Sequence, residues 1–261
     1  MKAMILAAGL GTRFKPWTDR HPKALALING KSLLERNIHY LQQSGITDVI
    51  VNVHHFAEQI TEAIAANNGW GSKITISNEI DEVLETGGGL KKASWFFTGG
   101  HFVVMNADIL TDRHLNSMIR FHQQHSPLAT LATTNRKSSR YFLFDEEDRL
   151  RGWRNVKTGE ERLADNYPEN QIFADNPEYA ADSDLFVGKS PALLIERAFS
   201  GIHIISPEIF PLMKQQGKFS IVDVYLGLAA SHKILGSDHS GSKLVDVGKP
   251  EAVAVAAALF P

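Results

Sequence analysis

Three short stretches combine the residue types that handle phosphate groups and a divalent cation. The first is Leu6-Ala7-Ala8-Gly9-Leu10-Gly11-Thr12-Arg13, followed by Pro22-Lys23. Gly9 and Gly11 let the chain turn sharply and leave backbone amides uncovered, and uncovered amides bind phosphate oxygens. Arg13 adds a planar fork and Lys23 a point charge. The stretch fits neither the dinucleotide fingerprint, whose third glycine is Phe14 here, nor the P-loop, whose Gly-Lys-Ser/Thr is missing. On two glycines alone, the favoured reading is a tight strand-to-loop turn of any α/β protein. The second stretch is a pair of distant acids. Asp108 follows Phe102–Met105 and Asn106-Ala107, and Asp246 sits among Leu244, Val245 and Val247 before Gly248. A carboxylate just past a central parallel strand lies at the ligand edge of an open sheet. An acid among apolar strand residues is costly unless paired or bound to a cation. Singly, each acid reads as structural. Together they can hold one Mg²⁺, with substrate phosphates in its other positions. The third stretch is Leu84-Glu85-Thr86-Gly87-Gly88-Gly89. Three glycines admit a flat ring, and the following helix N-terminus can receive a polar group. A flexible helix start is the plainer reading.

Other candidates are weaker. His54 and His55 are neighbours on a strand and point oppositely, with no third ligand nearby. His122 and His125 share a helical face without a carboxylate and read as surface residues. In Phe199-Ser200-Gly201-Ile202-His203 the histidine alternates along a strand, which suits a surface or core residue as well as a ligand contact. Arg140 and Tyr141 are placed to reach a substrate.

The elements that must position these residues alternate between strand and helix. Residues 2–8 are a buried strand, and the long loop 9–30 has the length of a functional loop. Ser32 and Glu35 form a capping box ahead of the stripe Leu33, Leu34, Ile38 and Leu41, and Gly45 ends that helix. Strands follow at 48–53, 73–77, 102–105 and 128–133, with helices at 57–66, 86–97 and 112–124. This order implies an α/β fold with a doubly wound, mostly parallel sheet and right-handed crossovers. Beyond Arg136 the chain changes character. Residues 141–144 and 150–153 flank Asp145-Glu146-Glu147-Asp148 as a hairpin. Between Thr158 and Asp184 there are eight acidic residues against one Arg, the composition of a mobile excursion. A strand at 198–205, a short helix opened by Ser206-Pro207-Glu208, a helix at 220–230, paired strands at 233–235 and 243–247, and a closing helix at 249–259 complete the chain. The expectation is a single domain over 1–261 with an inserted β-rich excursion at about 137–197.

Composition bounds the function. The chain has 261 residues, a hydrophobic fraction of 43% and a net charge of -2, which gives no support for a nucleic-acid or membrane surface as partner. There is no cysteine, so there is no disulfide and no thiolate metal site. The apolar run before Gly9 is too short for a signal peptide, and a cytoplasmic protein is expected.

The whole string Leu6–Arg13 with Pro16, Thr18 and Pro22-Lys23 resembles the signature loop of the sugar-1-phosphate nucleotidyltransferases. The resemblance implies their Rossmann-like, GT-A-like fold, a nucleoside triphosphate and a sugar 1-phosphate as substrates, and Mg²⁺ as cofactor. It implies that Leu6, Ala8, Gly9, Gly11, Thr12, Glu85, Thr86, Gly87 and Gly88 contact the nucleotide. Arg13 and Lys23 would be catalytic, Asn106, Gly201 and His203 would contact the sugar, and Asp108 and Asp246 would hold the metal. Leu84–Gly89 is similar to the nucleoside-contacting loop of bacterial N-acetylmuramate 1-phosphate uridylyltransferases, which implies UTP, N-acetylmuramate 1-phosphate and a place in peptidoglycan recycling. The departures are Ala107 for a glycine, Gly30-Lys31-Ser32 for Gly-x-Pro, and the length of 137–197. A mannose-1-phosphate guanylyltransferase shares the opening motif and is the alternative. A metal-dependent glycosyltransferase would normally carry Asp-x-Asp, which Asn106-Ala107-Asp108 lacks. A nucleotide-sensing relative would have no need of Arg13, Lys23, Asp108 and Asp246 together. Oligomeric state is not legible.

Overall fold

The computed structural model describes residues 1–164 and 194–261, so the acidic excursion beyond Ala164 lies outside the described residues. Four parallel strands form the heart of the sheet: β1 (Lys2–Leu6), β4 (Asp48–Val53), β5 (Lys73–Asn78) and β6 (Phe102–Asn106). Their spatial order is β5-β4-β1-β6. The small hairpin β2 (Leu27–Ile28) and β3 (Lys31–Ser32) precedes helix α1 (Leu33–Gln42). The chain winds outward from β1 through β4 to β5, then returns to place β6 on the other side of β1. That reversal opens a crevice beyond the carboxyl ends of β1 and β6. Leu6 pairs with both Asn52 and Asn106, so the three strand ends are level there.

Alternation along the strands assigns side chains to two layers. Met4, Phe102 and Val104 face one core together with Leu90, Val224 and Tyr225. Ala3, Ile5, Val103 and Met105 face the other, with Leu34, Ile38, Ile60 and Met118. Both faces are covered by helices: α1 (Leu33–Gln42), α2 (Ala57–Ala66) and α4 (Leu115–His125) on one side, α3 (Glu85–Lys92) and α5 (Ile221–Leu228) on the other. Helix α1 starts where its cap predicts, with Ser32 Oγ accepting from the Glu35 amide at 3.0 Å. The triple-glycine helix is shorter than expected, ending at Lys92 before a 3₁₀ turn over Ser94–Phe96.

The second half departs from pure parallel order. Strand β7 (Ile109–Thr111) follows β6, and β8 (Ala129–Thr134) does not pair with β6. The long strand β12 (Ile195–Ile205) runs antiparallel between them. The start of β12 pairs instead with β9 (Arg140–Phe144), which extends the sheet through β10 (Leu150–Asn155) and β11 (Glu160–Leu163). The register of β12 on β8 shifts between Phe199 and His203. The expected pairing of 233–235 with 243–247 does not occur. Instead β13 (Ile234–Asp238) is buried along most of its length and lies parallel to β8, while β14 (Leu244–Asp246) crosses to pair with β7. Helix α6 (Glu251–Leu259) packs on β14 and the β2–β3 hairpin, in a small third core around Val247 and Ala256. Among the described residues no helix is long and apolar enough to cross a membrane.

Candidate active site

The crevice at the β1/β6 switch has a volume of about 600 Å³. One wall is the glycine loop. Gly11 adopts a left-handed φ of 59°, and a methyl there would stand 2.8 Å from the Thr18 methyl and 3.2 Å from Lys23 Cβ. Only glycine lets this turn close on the segment carrying Lys23. Its carbonyl accepts from the Phe14 amide and the Thr18 hydroxyl. Among the described residues, the amides of Gly9, Leu10, Gly11 and Thr12 donate to no protein acceptor. They line the crevice with Arg13 as an uncommitted row of donors, the arrangement that takes up phosphate oxygens.

The two acids meet opposite this loop. Strand β14 lies antiparallel to β7 so that Asp246 is directly across from Ile109, the residue after Asp108. The Val247 amide donates to the Asp108 carbonyl at 2.8 Å and locks the register. Lys23 Nζ donates to Asp108 Oδ2 in a short, partly buried ion pair. Asp246 stands at the rim. Its carboxyl is raised above the usual carboxylate range by desolvation first and by the Asp108 charge second, while Lys23, Arg13 and Arg136 oppose the rise. Gly248 keeps this corner open, since a Cβ there would lie 2.8 Å from Asp246 Oδ1 and 3.3 Å from an Arg13 terminal nitrogen.

These residues suit a hard divalent cation. Two crowded carboxylates supply oxygen donors and a charge excess that a cation relieves. Among the described residues no group of three or more His, Cys, Asp or Glu side chains could hold a metal by itself. Asp108 and Asp246 would therefore share the ion with substrate oxygens, the habit of Mg²⁺.

The structure brings Leu6, Ala8, Gly9, Gly11, Thr12, Arg13, Lys23, Glu85, Thr86, Asn106 and Asp108 to one crevice, with Asp246 across from Ile109. It separates four others. The amides of Gly87 and Gly88 both donate to the Phe219 carbonyl, at 2.9 and 3.2 Å. A Cβ on Gly87 would meet the Phe219 ring at 2.5 Å, and one on Gly88 the Gly217 carbonyl at 2.2 Å. These glycines admit the protein's own chain, and their two amides are already engaged. Gly201 sits behind Asn106, whose amide nitrogen would be 2.8 Å from an added Cβ. His203 is 1% exposed and hydrogen-bonded to the Tyr225 hydroxyl at 2.7 Å, so it is a core residue, not a sugar contact.

Two weaker histidine readings also resolve. His54 Nδ1 contacts the Glu79 carbonyl, and His55 lies on the Phe56 ring. His122, expected at the surface, is fully buried between Thr130 and His101, because α4 turns that face onto β8.

Some crevice residues carried no motif. Asn52 accepts from the Ala7 amide at 2.7 Å and donates to Glu79 Oε1, and Glu79 Oε2 accepts from the Leu84 amide. This buried bridge ties the glycine loop to the Glu85 loop. Its one sequence signal is the polar interruption Asn52 in the apolar run Val49–Val53. Lys218 and Ser220 reach the crevice from the segment before α5, with Lys218 Nζ 3.7 Å from Glu85 Oε1. A lysine in an exposed loop gives no signal of this.

Comparison with known proteins identifies the family. The Nucleotidyl transferase family matches over residues 2–150. The chain is 30% identical over 250 residues to an N-acetylmuramate alpha-1-phosphate uridylyltransferase of Neisseria meningitidis serogroup B, covering 95% of this chain and 93% of that protein. It is 31% identical over 229 residues to the mannose-1-phosphate guanylyltransferase catalytic subunit beta of Danio rerio, covering 86% of this chain and 59% of the relative. The fold superposes on HddC from Yersinia pseudotuberculosis complexed with GMP-PN with a TM-score of 0.71 at 20% identity, over 100% of this chain and 99% of the other. The chain belongs to the nucleotidyl transferase family and is a sugar-1-phosphate nucleotidyltransferase.

Proposed function

We propose that the enzyme joins UTP to N-acetylmuramate 1-phosphate, giving the UDP-sugar and pyrophosphate. A phosphate oxygen of the sugar 1-phosphate forms a bond to the α-phosphorus, and the bond from that phosphorus to the bridging oxygen of the β-phosphate breaks. The attacking oxygen is already ionised, so no general base is required. Catalysis rests on alignment and charge neutralisation. The observation that carries the reading is the register placing Asp246 across from Ile109, beside Asp108. It sets two carboxylates against a row of uncommitted amides.

In this scheme the Gly9–Thr12 amides and Arg13 hold the β- and γ-phosphates of the leaving group. Lys23, poised on Asp108, stays within reach of the reacting phosphates. Glu85 and Thr86 line the nucleoside end of the crevice, and Asn106 the sugar end. Asp108 and Asp246 would hold Mg²⁺, which when bound neutralises phosphate charge around the α-phosphorus.

The choice of UTP and an N-acetylmuramate acceptor is supported by similarity along nearly the whole length of the Neisseria relative. The second reading, GTP with mannose 1-phosphate, is favoured by the Danio relative, of which this chain spans 59%. Pyrophosphate release measured for UTP, GTP, CTP and dTTP against a panel of sugar 1-phosphates tests both. The first reading requires UTP with N-acetylmuramate 1-phosphate to give the highest kcat/KM. A maximum with GTP and mannose 1-phosphate would replace it.

A further inference from the structure

The two loops that the proposed nucleotide must span are fastened to each other by one buried pair. Asn52 is 2% exposed and Glu79 1% exposed, and both line the crevice. At one end the Ala7 amide, just ahead of the glycines, donates to Asn52 Oδ1 at 2.7 Å. In the middle Asn52 Nδ2 donates to Glu79 Oε1 at 2.7 Å, and at the other end the Leu84 amide donates to Glu79 Oε2 at 3.0 Å. Both residues are held at the backbone. Asn52 sits in β4 level with Leu6 and Ser77, and the Glu79 amide donates to the Val53 carbonyl at 2.7 Å.

The ends fix the polarity of this chain. Both are backbone N–H groups, so both terminal partners must accept. The Asn52 amide accepts from Ala7 and turns a donor inward, which leaves position 79 to accept twice. A carboxylate offers an oxygen to each donor, and a carboxamide to only one. Glutamine at 79 would therefore set N–H against N–H at one of its contacts, whichever way it turned. Aspartate at 52 would keep the bond to Ala7 but set oxygen against oxygen in the middle. Burying a carboxylate is costly unless it is fully hydrogen-bonded, and here both of its oxygens are engaged.

We propose that Asn52 and Glu79 are positioning residues that fix the span between the triphosphate end and the nucleoside end of the crevice, so that one nucleoside triphosphate fills both ends without either loop having to move. This rests on the reading above, which sets phosphates on the Gly9–Thr12 amides and the nucleoside at Glu85 and Thr86. A ligand that reaches only the glycine loop gains nothing from the bridge. A ligand that reaches both loops gains its preorganisation.

The test compares wild type, Asn52→Asp, Glu79→Gln and the double exchange Asn52→Asp/Glu79→Gln. Calorimetry in one magnesium buffer gives Kd for UTP, which spans the crevice, and for inorganic tripolyphosphate, which does not. Each single variant leaves the Ala7 amide an acceptor, so tripolyphosphate should bind within about threefold of wild type. UTP should bind about tenfold to a hundredfold more weakly, the worth of a charge-assisted hydrogen bond. In the double exchange the middle bond reverses: the amide at 79 donates to the carboxylate at 52 and still accepts from Leu84. UTP affinity should then return to within about threefold of wild type, where independent sites would add their losses. Wild-type UTP affinity in both single variants would overturn the proposal. So would an equal loss for UTP and tripolyphosphate, which marks a purely structural pair, or a double exchange as weak as the sum of the singles. If a single variant does not fold, the double exchange decides, and its failure to fold or to bind UTP refutes the bridge. A wild type that turns over GTP in place of UTP replaces the substrate reading alone, and the same comparison is then made with GTP.

Discussion

Replacing Gly88 by alanine separates two reasons for a triple-glycine loop. If the glycine admits a nucleobase, the variant folds normally and binds the nucleotide poorly. If it admits the protein's own chain, the variant is unstable. At Gly88 the added Cβ would lie 2.2 Å from the Gly217 carbonyl oxygen and 3.0 Å from Leu84 Cβ. The first contact is with backbone, so no rotamer change relieves it, and the Phe219 segment must move away from α3. That movement lengthens the bonds from the Gly87 and Gly88 amides to the Phe219 carbonyl. Overpacking of this kind costs about 1–3 kcal/mol. Alanine in a helix recovers about 0.5–1 kcal/mol relative to glycine, so the clash wins. At about 2–4 °C per kcal/mol for a chain of this size, the melting temperature should fall by several degrees. Gly9→Ala is the converse. A Cβ there meets nothing within 4 Å, yet Gly9 lines the crevice, so stability should hold while the KM for the nucleoside triphosphate rises. Thermal melts and KM measured on both variants decide the matter. A Gly88→Ala enzyme as stable as wild type but with a raised nucleotide KM would refute the packing argument.

Two further outcomes follow from the same geometry. Lys23→Ala and Asp108→Asn should each lower kcat by a hundredfold or more, roughly the value of a preorganised charge at a developing transition state, while the melt stays cooperative; full pyrophosphate release by either variant would remove these residues from the chemistry. Stability should also fall on acidification, because burial pushes His203 down to about 3 and His122 down to about 4, both below the ordinary histidine value of 6.5. A base whose folded-state value is depressed stabilises the fold fully above its unfolded value and progressively loses that contribution as pH falls below 6.5. His203→Gln retains a partner for the Tyr225 hydroxyl but takes up no proton, so urea midpoints measured between pH 4 and pH 7 should depend less steeply on pH than in wild type. An unchanged slope would show that His203 does not charge on unfolding.

What was legible in the residues depended on whether one segment carried its own meaning. The glycine loop did, since Gly11 needs its left-handed φ and the charges of Arg13 and Lys23 act at short range along the same stretch. The parallel half of the sheet did as well, because buried apolar strands and amphipathic helices alternate at their own periods. Pairing of distant segments did not. The runs at 233–235 and 243–247 read as paired strands, but short apolar runs do not encode which edge they join. Burial along β13 consigned it to the main sheet and left β14 free for β7. His122 and His203 failed for a related reason. A single histidine reveals nothing of the Thr130 or Tyr225 that the fold brings to it.

The glycines of Leu84–Gly89 show the deeper ambiguity. A glycine records that something comes close, not what. At Gly87 and Gly88 the close neighbour is the Gly217–Phe219 segment of the chain itself, and at Gly89 it is the Glu79 carboxylate and the Asn52 amide, both within 3 Å of an added Cβ. That last contact connects the packing role back to function. Asn52 holds the Ala7 amide and Glu79 holds the Leu84 amide, so the buried pair spans from the phosphate-facing loop to the loop carrying Glu85. A larger residue at 89 would push this pair apart and shift both loops at once. The triple glycine therefore lets two walls of the crevice be fastened to each other.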